Sequence, residues 1–340
     1  MDGKKSHKVI LIIVGLTILL SLPRFSHYVA PDSTRYVELA SYFQGTLLKQ
    51  ELHTPYIYRV LVPYLASLGP TNSLDTNFAA INVLFTSAAF TVFYFYLQTL
   101  IKNTSQVNFG MLILIVAFPT VNYSSGVMTD AAGFFFFFVL ATYLFLKKRF
   151  LLFTIALSVG VMAREAILIL LIALLVYLIV TYFRGPSEEW NPKLLFSFVP
   201  PILVYLGIRV VFSNLPSYFW FPTWQQFLFT VSRPVAWTTF GLTLLPPLIL
   251  ILIGYRHQEA PVSTVLSIWS FHEKALLLSL TVAGIALNIY SITSAALSGR
   301  FVWPFYVVLI PLAAAFFSKE NSSLFTFLGT LSTKVFNNDT

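Results

Sequence analysis

The sequence predicts an all-α, polytopic membrane protein: a bundle of about ten transmembrane helices with amphipathic helices in a long first outer loop. Three observations predict it. The chain is 57% hydrophobic and only 10% charged, against about 25% charged in soluble domains. Apolar runs near bilayer length recur along its 340 residues, so one membrane domain over 1–320 with a short cytoplasmic tail at 321–340 fits better than two soluble domains. Most of the basic residues sit in short segments between those runs, so the net charge of +8 follows the positive-inside rule and is no signal for nucleic acid. Cysteine is absent, which excludes disulfides, thiol catalysis and thiolate metal sites.

Taken in order, the first run is "VILIIVGLTILLSL" within a span at 9–23, behind Lys4, Lys5 and Lys8. It looks like a signal peptide, but bulky Tyr28 stands where cleavage after Ala30 needs a small residue, so an uncleaved anchor is expected. The outer loop 24–76 follows. Tyr36, Leu39, Ala40 and Phe43 recur at helical spacing, as do Tyr58, Leu61, Val62 and Leu65, on either side of "KQELHTP". Two short helices lying on the membrane surface are expected there. Further spans fall at 77–101, 107–123, 130–146, 150–163, 166–183, 194–212, 237–254, 275–293 and 302–317. The first and fifth are short for a bilayer, as for helices that stop inside the protein.

Between these spans, "SNLPSYFWFPTWQQFLFTVSRPVA" (213–236) is rich in Trp, Phe and Pro and reads as an interfacial loop. "RGPSEEWNPK" and "YRHQEAPVSTVLSIWSFHEK" read as solvated connectors, and "SLFTFLGTL" near the end is too short to span. The basic cluster in "LKKRF" marks the cytoplasmic side, and the remaining Lys and Arg orient the chain with both termini inside.

Mapped on this topology, the charges single out a site. A charge at mid-bilayer costs about 2.5–3.5 kcal/mol on insertion scales, so such residues usually have a function. Asp32 follows the first span in "APDSTRYVELA", and Asp130 opens the fourth in "GVMTDAAGFFFFFVL". Arg164 and Glu165 interrupt the apolar "VGVMAREAILILL", Arg300 opens the last span, Arg233 closes the Trp-rich loop, and Arg59 lies in the first loop. All seven come out on the outer side, which points to one polar pocket under the first loop. Each also has a plainer reading. Asp32 and Asp130 are in place to cap helices, Arg164 and Glu165 to mark a tight turn, and Arg300 to anchor at the interface. Arg209 reads as a snorkelling side chain. His27 and His53 have no second histidine at ligand spacing, and the five-Phe run 134–138 reads as packing.

The order of these motifs resembles a known group. An N-in helix precedes a long outer loop with an early "D…RY…LA", "TD" opens an aromatic-rich helix, and "RE" lies between two short spans. A late "GR-F-x-x-P-x-x-x-x-L-I-P" begins the last helix, and "TPYIYRVLVPYLASL" is similar to a loop of small prokaryotic members. Together they resemble the GT-C superfamily of integral membrane glycosyltransferases, including bacterial relatives of protein mannosyltransferases, over residues 1 to 317. The resemblance implies transfer of a sugar from a polyprenyl-phosphate carrier to an acceptor on the extracytoplasmic face of the inner or plasma membrane. It implies Asp32 as catalytic base and Arg300 near the donor phosphate. The chain departs from the pattern in having a single acid, Asp32, where protein mannosyltransferases show an Asp-Glu pair, no soluble C-terminal domain and fewer spans than many members.

The residues suit that chemistry on their own terms. A phosphate-linked sugar has a good leaving group, so the enzyme needs a base on the attacking hydroxyl and cations on the departing phosphate. Asp32 fits the base, and Arg300, Arg233 and Arg59 fit the phosphate, because a guanidinium gives permanently charged, bidentate contacts. Asp130, Arg164 and Glu165 complete the pocket. Direct displacement by the acceptor hydroxyl would invert the anomeric centre; a retaining route would want two carboxylates about 5 Å apart. No cofactor is expected; the alternative, a divalent cation between Asp32 and Asp130, is disfavoured because each segment supplies one acid. The expected partners are the lipid-linked sugar donor, the bilayer, and an acceptor that is a glycan, lipid or protein. The main rival is a transporter or flippase of an anionic lipid-linked sugar, but such proteins favour inverted repeats and midplane sites, and no repeat is visible.

Overall fold

The computed structural model describes residues 32–123, 130–216, 221–256, 266–294 and 297–316, together with Ile12 and Gly15. The rest of the expected span at 9–23, the apolar patch "SLFTFLGTL" and the tail 321–340 lie outside the described residues, as do the side chains of 130–132 and Ser187.

Among the described residues every regular element is helical. The first loop supplies α1 (Ser33–Phe43) and α2 (Leu61–Ser67). The bundle follows with α3 (Leu74–Leu100), α4 (Thr104–Val116), α5 (Phe118–Tyr123), α6 (Phe137–Leu146), α7 (Phe150–Ala163) and α8 (Ile169–Arg184). The remainder is α9 (Val199–Val211), α10 (Trp224–Val231), α11 (Pro234–Arg256), α12 (Phe271–Ser294), α13 (Gly299–Val302) and α14 (Tyr306–Phe316).

Among the described residues six segments are long and apolar enough to cross a membrane: Leu74–Leu100, Glu165–Arg184, Pro192–Val211, Pro234–Arg256, Phe271–Ser294 and Gly299–Phe316. This is the pattern of a multi-pass membrane protein. Of the ten spans expected from sequence, 9–23 lies outside the described residues and three others fall short of that length. Thr104–Val116, Gly133–Leu146 and Phe150–Ala163 are apolar but only 10–17 residues long. At 1.5 Å per residue they fall short of a hydrocarbon core of about 30 Å.

The helix starts follow from local chemistry. Ser73 accepts from the Thr76 N–H at the head of α3, with Asp75 in the first turn. Asn103 caps α4 and Thr223 caps α10 in the same way, each satisfying a backbone donor that a helix start leaves orphaned. At the end of α6, Lys148 adopts a left-handed φ of 56° and the Arg149 N–H returns to the Leu144 carbonyl at 2.9 Å.

Two breaks in the bundle meet. Asp130–Phe136 is a π-helical turn, and Arg164 is a single extended residue between α7 and the 3-10 turn Glu165–Leu168. Gly133 allows the two to touch, because a Cβ there would overlap Ala163. Around them lies an aromatic core. Trp303 is fully buried and stacks on Phe135 at 4.3 Å, and the Tyr96 hydroxyl donates to the Val307 carbonyl at 2.7 Å. By contrast α9 and α11 expose Leu203, Val210, Leu245 and Leu252, apolar faces suited to lipid.

Two expectations change here. The apolar stripes of the first loop pack on protein: Tyr36, Ala40, Val62 and Ala66 belong to the main core. Leu39, Ile57 and Tyr58 form a second small core with Phe212, just beyond α9. Tyr58 belongs to a 3-10 turn, Tyr56–Tyr58, and α2 buries Val62, Pro63 and Ala66 instead. The connectors are also less solvated than their composition implies. The Trp269 indole donates to the Leu100 carbonyl at 3.0 Å, and His272 Nε2 lies 3.2 Å from the Leu146 carbonyl. Those carbonyls end α3 and α6, and carbonyls at a helix end need partners from outside the helix.

Candidate functional site

Asp32 occupies the N-cap position of α1, yet its side chain makes no capping hydrogen bond. The reason is its backbone. A capping residue is normally extended, whereas Asp32 is already helical at φ −80°, ψ −13°. Its carboxylate turns to tertiary partners instead. The Tyr56 hydroxyl donates to Oδ1 at 3.0 Å, and Nη1 of Arg300 lies 3.4 Å from Oδ2. Burial, reinforced by the Asp32 charge, pushes the Tyr56 phenol up to about 12, so it remains a donor at neutral pH.

Next to this pair lies a second one. Arg59 Nη2 and Nε donate to the two oxygens of Glu165 at 2.8 and 3.0 Å, and Arg59 Nη1 donates to the Tyr36 hydroxyl. Arg59 is 6% exposed, so the fork-to-fork geometry compensates the loss of its hydration. The rings of Tyr36 and Tyr56 meet edge to face at 5.5 Å, linking the two pairs. Each partner reaches the site by a separate route. Arg59 follows the 3-10 turn that the second core holds, and Glu165 follows the break at Arg164.

Arg164 and Arg300 complete the constellation. Arg164 is 2% exposed, and its guanidinium lies 5.5 Å from the rings of both Phe134 and Phe301. Arg300 lies 5.5 Å from the same Phe301 ring, so two cations share one aromatic face or edge region. Ser298 starts α13 by accepting from the Arg300 N–H at 3.4 Å, and Tyr123 reaches Ser298 at 3.3 Å. Gly299 packs on α11 so closely that a Cβ would overlap the Thr243 hydroxyl.

Of the residues singled out from sequence, Asp32, Arg59, Arg164, Glu165 and Arg300 are thus gathered at one end of the bundle. Arg233 is exposed, with its guanidinium 4.3 Å from Phe229, and joins no ion pair among the described residues. The Asp130 side chain lies outside the described residues, although its backbone opens the π turn. Arg209, read as a snorkelling residue, stands between loop and helix: its guanidinium is 4.2 Å from the Tyr58 ring and 4.8 Å from Tyr205. Tyr36 and Tyr56 were legible only as apolar helix or loop residues, because nothing in one dimension signals a phenol aimed at a carboxylate. A surface cluster, Arg35 with Glu38 at 2.8 Å and His53 at 3.1 Å from Glu38, gives His53 its partner.

Among the described residues no group of three metal-ligating side chains converges. No protein-family model, curated protein or solved structure matches the chain. Chemically, the site pairs a half-buried carboxylate with a single arginine beside a firmly paired Arg–Glu couple. The first can accept a proton and the arginines can hold an anion.

Proposed function

We propose that this protein is a membrane glycosyltransferase that moves a sugar from a polyprenyl-phosphate carrier to an acceptor hydroxyl. The observation that carries the reading is Asp32: a carboxylate at a helix start that does no capping and lies 3.4 Å from Arg300. In the proposed reaction the acceptor oxygen attacks the anomeric carbon and the bond to the carrier phosphate breaks. The acceptor proton passes to Asp32, while the negative charge that develops on the phosphate is met by Arg300, with Arg164, 5.5 Å from the same Phe301 ring, adding positive field. Displacement in one step inverts the anomeric centre. Arg59 is given a positioning role, since Glu165 and Tyr36 already engage its fork.

The lipid tail of such a donor suits a protein whose helices expose broad apolar faces. The reading places the site on the extracytoplasmic side of the inner or plasma membrane, in line with the basic "LKKRF" turn at the opposite end of α7. The test is transfer from a panel of radiolabelled polyprenyl-phosphate sugars by purified protein in membranes containing cell-envelope acceptors. Turnover by the wild type and none by Asp32→Asn is expected. Absence of turnover with every donor, or full turnover by Asp32→Asn, would overturn it.

A further inference from the structure

The end of the bundle away from the site carries charge that the described residues do not balance. α7 ends at the Arg164 break and α8 leaves from it through the turn Glu165–Leu168, so Arg149 and Arg184 lie at their far ends. α11 touches Gly299, the neighbour of Arg300, at Thr239, and Arg256 closes the same helix about 25 Å further on. At that far end Trp269 and His272 meet the last carbonyls of α3 and α6, and the Tyr177 hydroxyl of α8 lies 2.7 Å from His272 Nδ1. Among the described residues eight Lys and Arg stand here against Glu188, Glu189 and Glu273. Lys102 and the turn Lys147–Arg149 follow α3 and α6, Lys193 and Lys274 open the next two segments, and Arg184 and Arg256 close α8 and α11. Lys148 pairs with Glu189 at 2.8 Å; the other seven are exposed and join no ion pair among the described residues.

A helix dipole favours a cation at its C-terminus and disfavours one at its N-terminus. That accounts for Arg184 and Arg256, in last turns. Arg149, however, is the N-cap of α7, and Lys193 and Lys274 stand in the first turns of the 3-10 segment Pro192–Phe198 and of α12. These three oppose their own helix dipoles with no ion pair to offset them, so they suit an anion from outside the protein. Exposed rings flank the cations: Phe183 beside Arg184, Tyr255 beside Arg256 and Phe196 a turn past Lys193, at 73%, 53% and 76% exposure. Aromatic rings beside cations at span ends form a belt at the membrane–water interface.

We propose that this end of the protein is a docking surface for the anionic phospholipid headgroups of the leaflet it enters, with Arg149, Lys193 and Lys274 as its main contacts. The headgroup phosphates supply the negative charge that the described residues lack here, and the rings fix the depth of the spans. The surface is separate from the Asp32 site, so the inference does not rest on the glycosyltransferase reading.

The experiment reconstitutes the full-length protein in phosphatidylcholine bilayers containing a trace of spin-labelled phosphatidylglycerol or spin-labelled phosphatidylcholine. Electron paramagnetic resonance then reads the fraction of each label immobilised against the protein. Wild type is expected to favour phosphatidylglycerol by about threefold. The triple variant Arg149→Gln/Lys193→Gln/Lys274→Gln is expected to bring that ratio close to one, as is wild type in about 1 M salt, where charges are screened within ~3 Å. Arg233→Gln, an exposed arginine at the opposite end with no ion pair among the described residues, is expected to leave the ratio unchanged. No preference in wild type, a preference kept in high salt, or an equal loss with Arg233→Gln would overturn the proposal. Full preference in the folded triple variant would do the same; should that variant not fold, the salt comparison carries the test. Binding of poly-glutamate by the detergent-solubilised protein, lost in the triple variant and without any lipid preference, would assign the surface to a soluble acidic partner and overturn the lipid assignment.

Discussion

Arg59 and Glu165 face each other fork to fork across 106 residues of chain, with Nη2–Oε1 at 2.8 Å and Nε–Oε2 at 3.0 Å. This contact ties the first loop to the break between α7 and α8, so it sets where the loop, and with it Tyr56 and Asp32, sits over the bundle. Removing Glu165 leaves the buried Arg59 guanidinium without its carboxylate. Glu165→Gln is therefore expected to lower unfolding stability by about 3 kcal/mol, measured by chemical denaturation in detergent. The paired apolar replacement Arg59→Met with Glu165→Leu should recover much of that loss. A single variant as stable as wild type would show that the pair does not hold the loop.

Asp32→Asn is expected to lower transfer by about 10²–10⁴-fold, the span usual for a general base, with a thermal midpoint close to wild type. The second half of that statement follows from the absent cap, since no helix hydrogen bond is lost. A marked fall in the midpoint with activity retained would restore the capping role.

Gly299 and Gly241 form a matched comparison. A Cβ at Gly299 would overlap the Thr243 hydroxyl and the Thr239 carbonyl, whereas at Gly241 the nearest atom is an ordinary 3.6 Å away on Leu245. Gly299→Ala should push α13 off α11, displace Arg300 and raise the donor concentration needed for half-maximal transfer several-fold. Gly241→Ala should be neutral within about 0.5 kcal/mol. Equal behaviour of the two variants would count against α13 packing as what places Arg300.

Arg209→Leu should loosen the first loop from α9 by removing the cation held between Tyr58 and Tyr205, a contact worth roughly 0.5–2 kcal/mol. Limited proteolysis should then cut faster within 44–55. Since Lys49 also donates to the Val211 carbonyl at 2.7 Å, combining the change with Lys49→Met should increase the effect. An unchanged cleavage rate in the double variant would mean that the second core alone secures the loop.

The Tyr56 phenol makes a pH prediction. Its folded value is raised from 10.0 to about 12, so between those values the unfolded chain has lost a proton that the folded protein keeps. The stability it contributes is fully present below pH 10.0 and is lost as pH rises towards about 12. Comparing stability at pH 9 and pH 11, wild type should lose more than Tyr56→Phe; identical losses would show that Tyr56 is not held neutral against Asp32.

Much of this site was legible in sequence as a set and little of it as a geometry. Hydropathy isolates Arg164 and Glu165 in an apolar run and places Asp32 and Arg300 at span ends, because a charge in hydrocarbon is costly wherever the chain carries it. Helical spacing likewise marks Tyr36, Leu39 and Ala40 as one buried face, and hydropathy marks the spans as helices, since only internally satisfied backbone suits a bilayer. Spacing cannot say what that face meets. Tyr36 packs into the main core while Leu39, one turn on, joins Phe212 in the second.

The tertiary structure alone decided which charges pair. Asp32 had a plausible cap at its own helix start, and it was the helical φ and ψ of its backbone that turned the carboxylate to Tyr56 and Arg300. Arg59 and Arg300 are alike in sequence, yet the first meets Glu165 fork to fork and the second lies 3.4 Å from Asp32. Composition and periodicity report how each residue meets solvent, lipid or its own helix. Partners separated by 106 or 268 residues are chosen by how the helices pack.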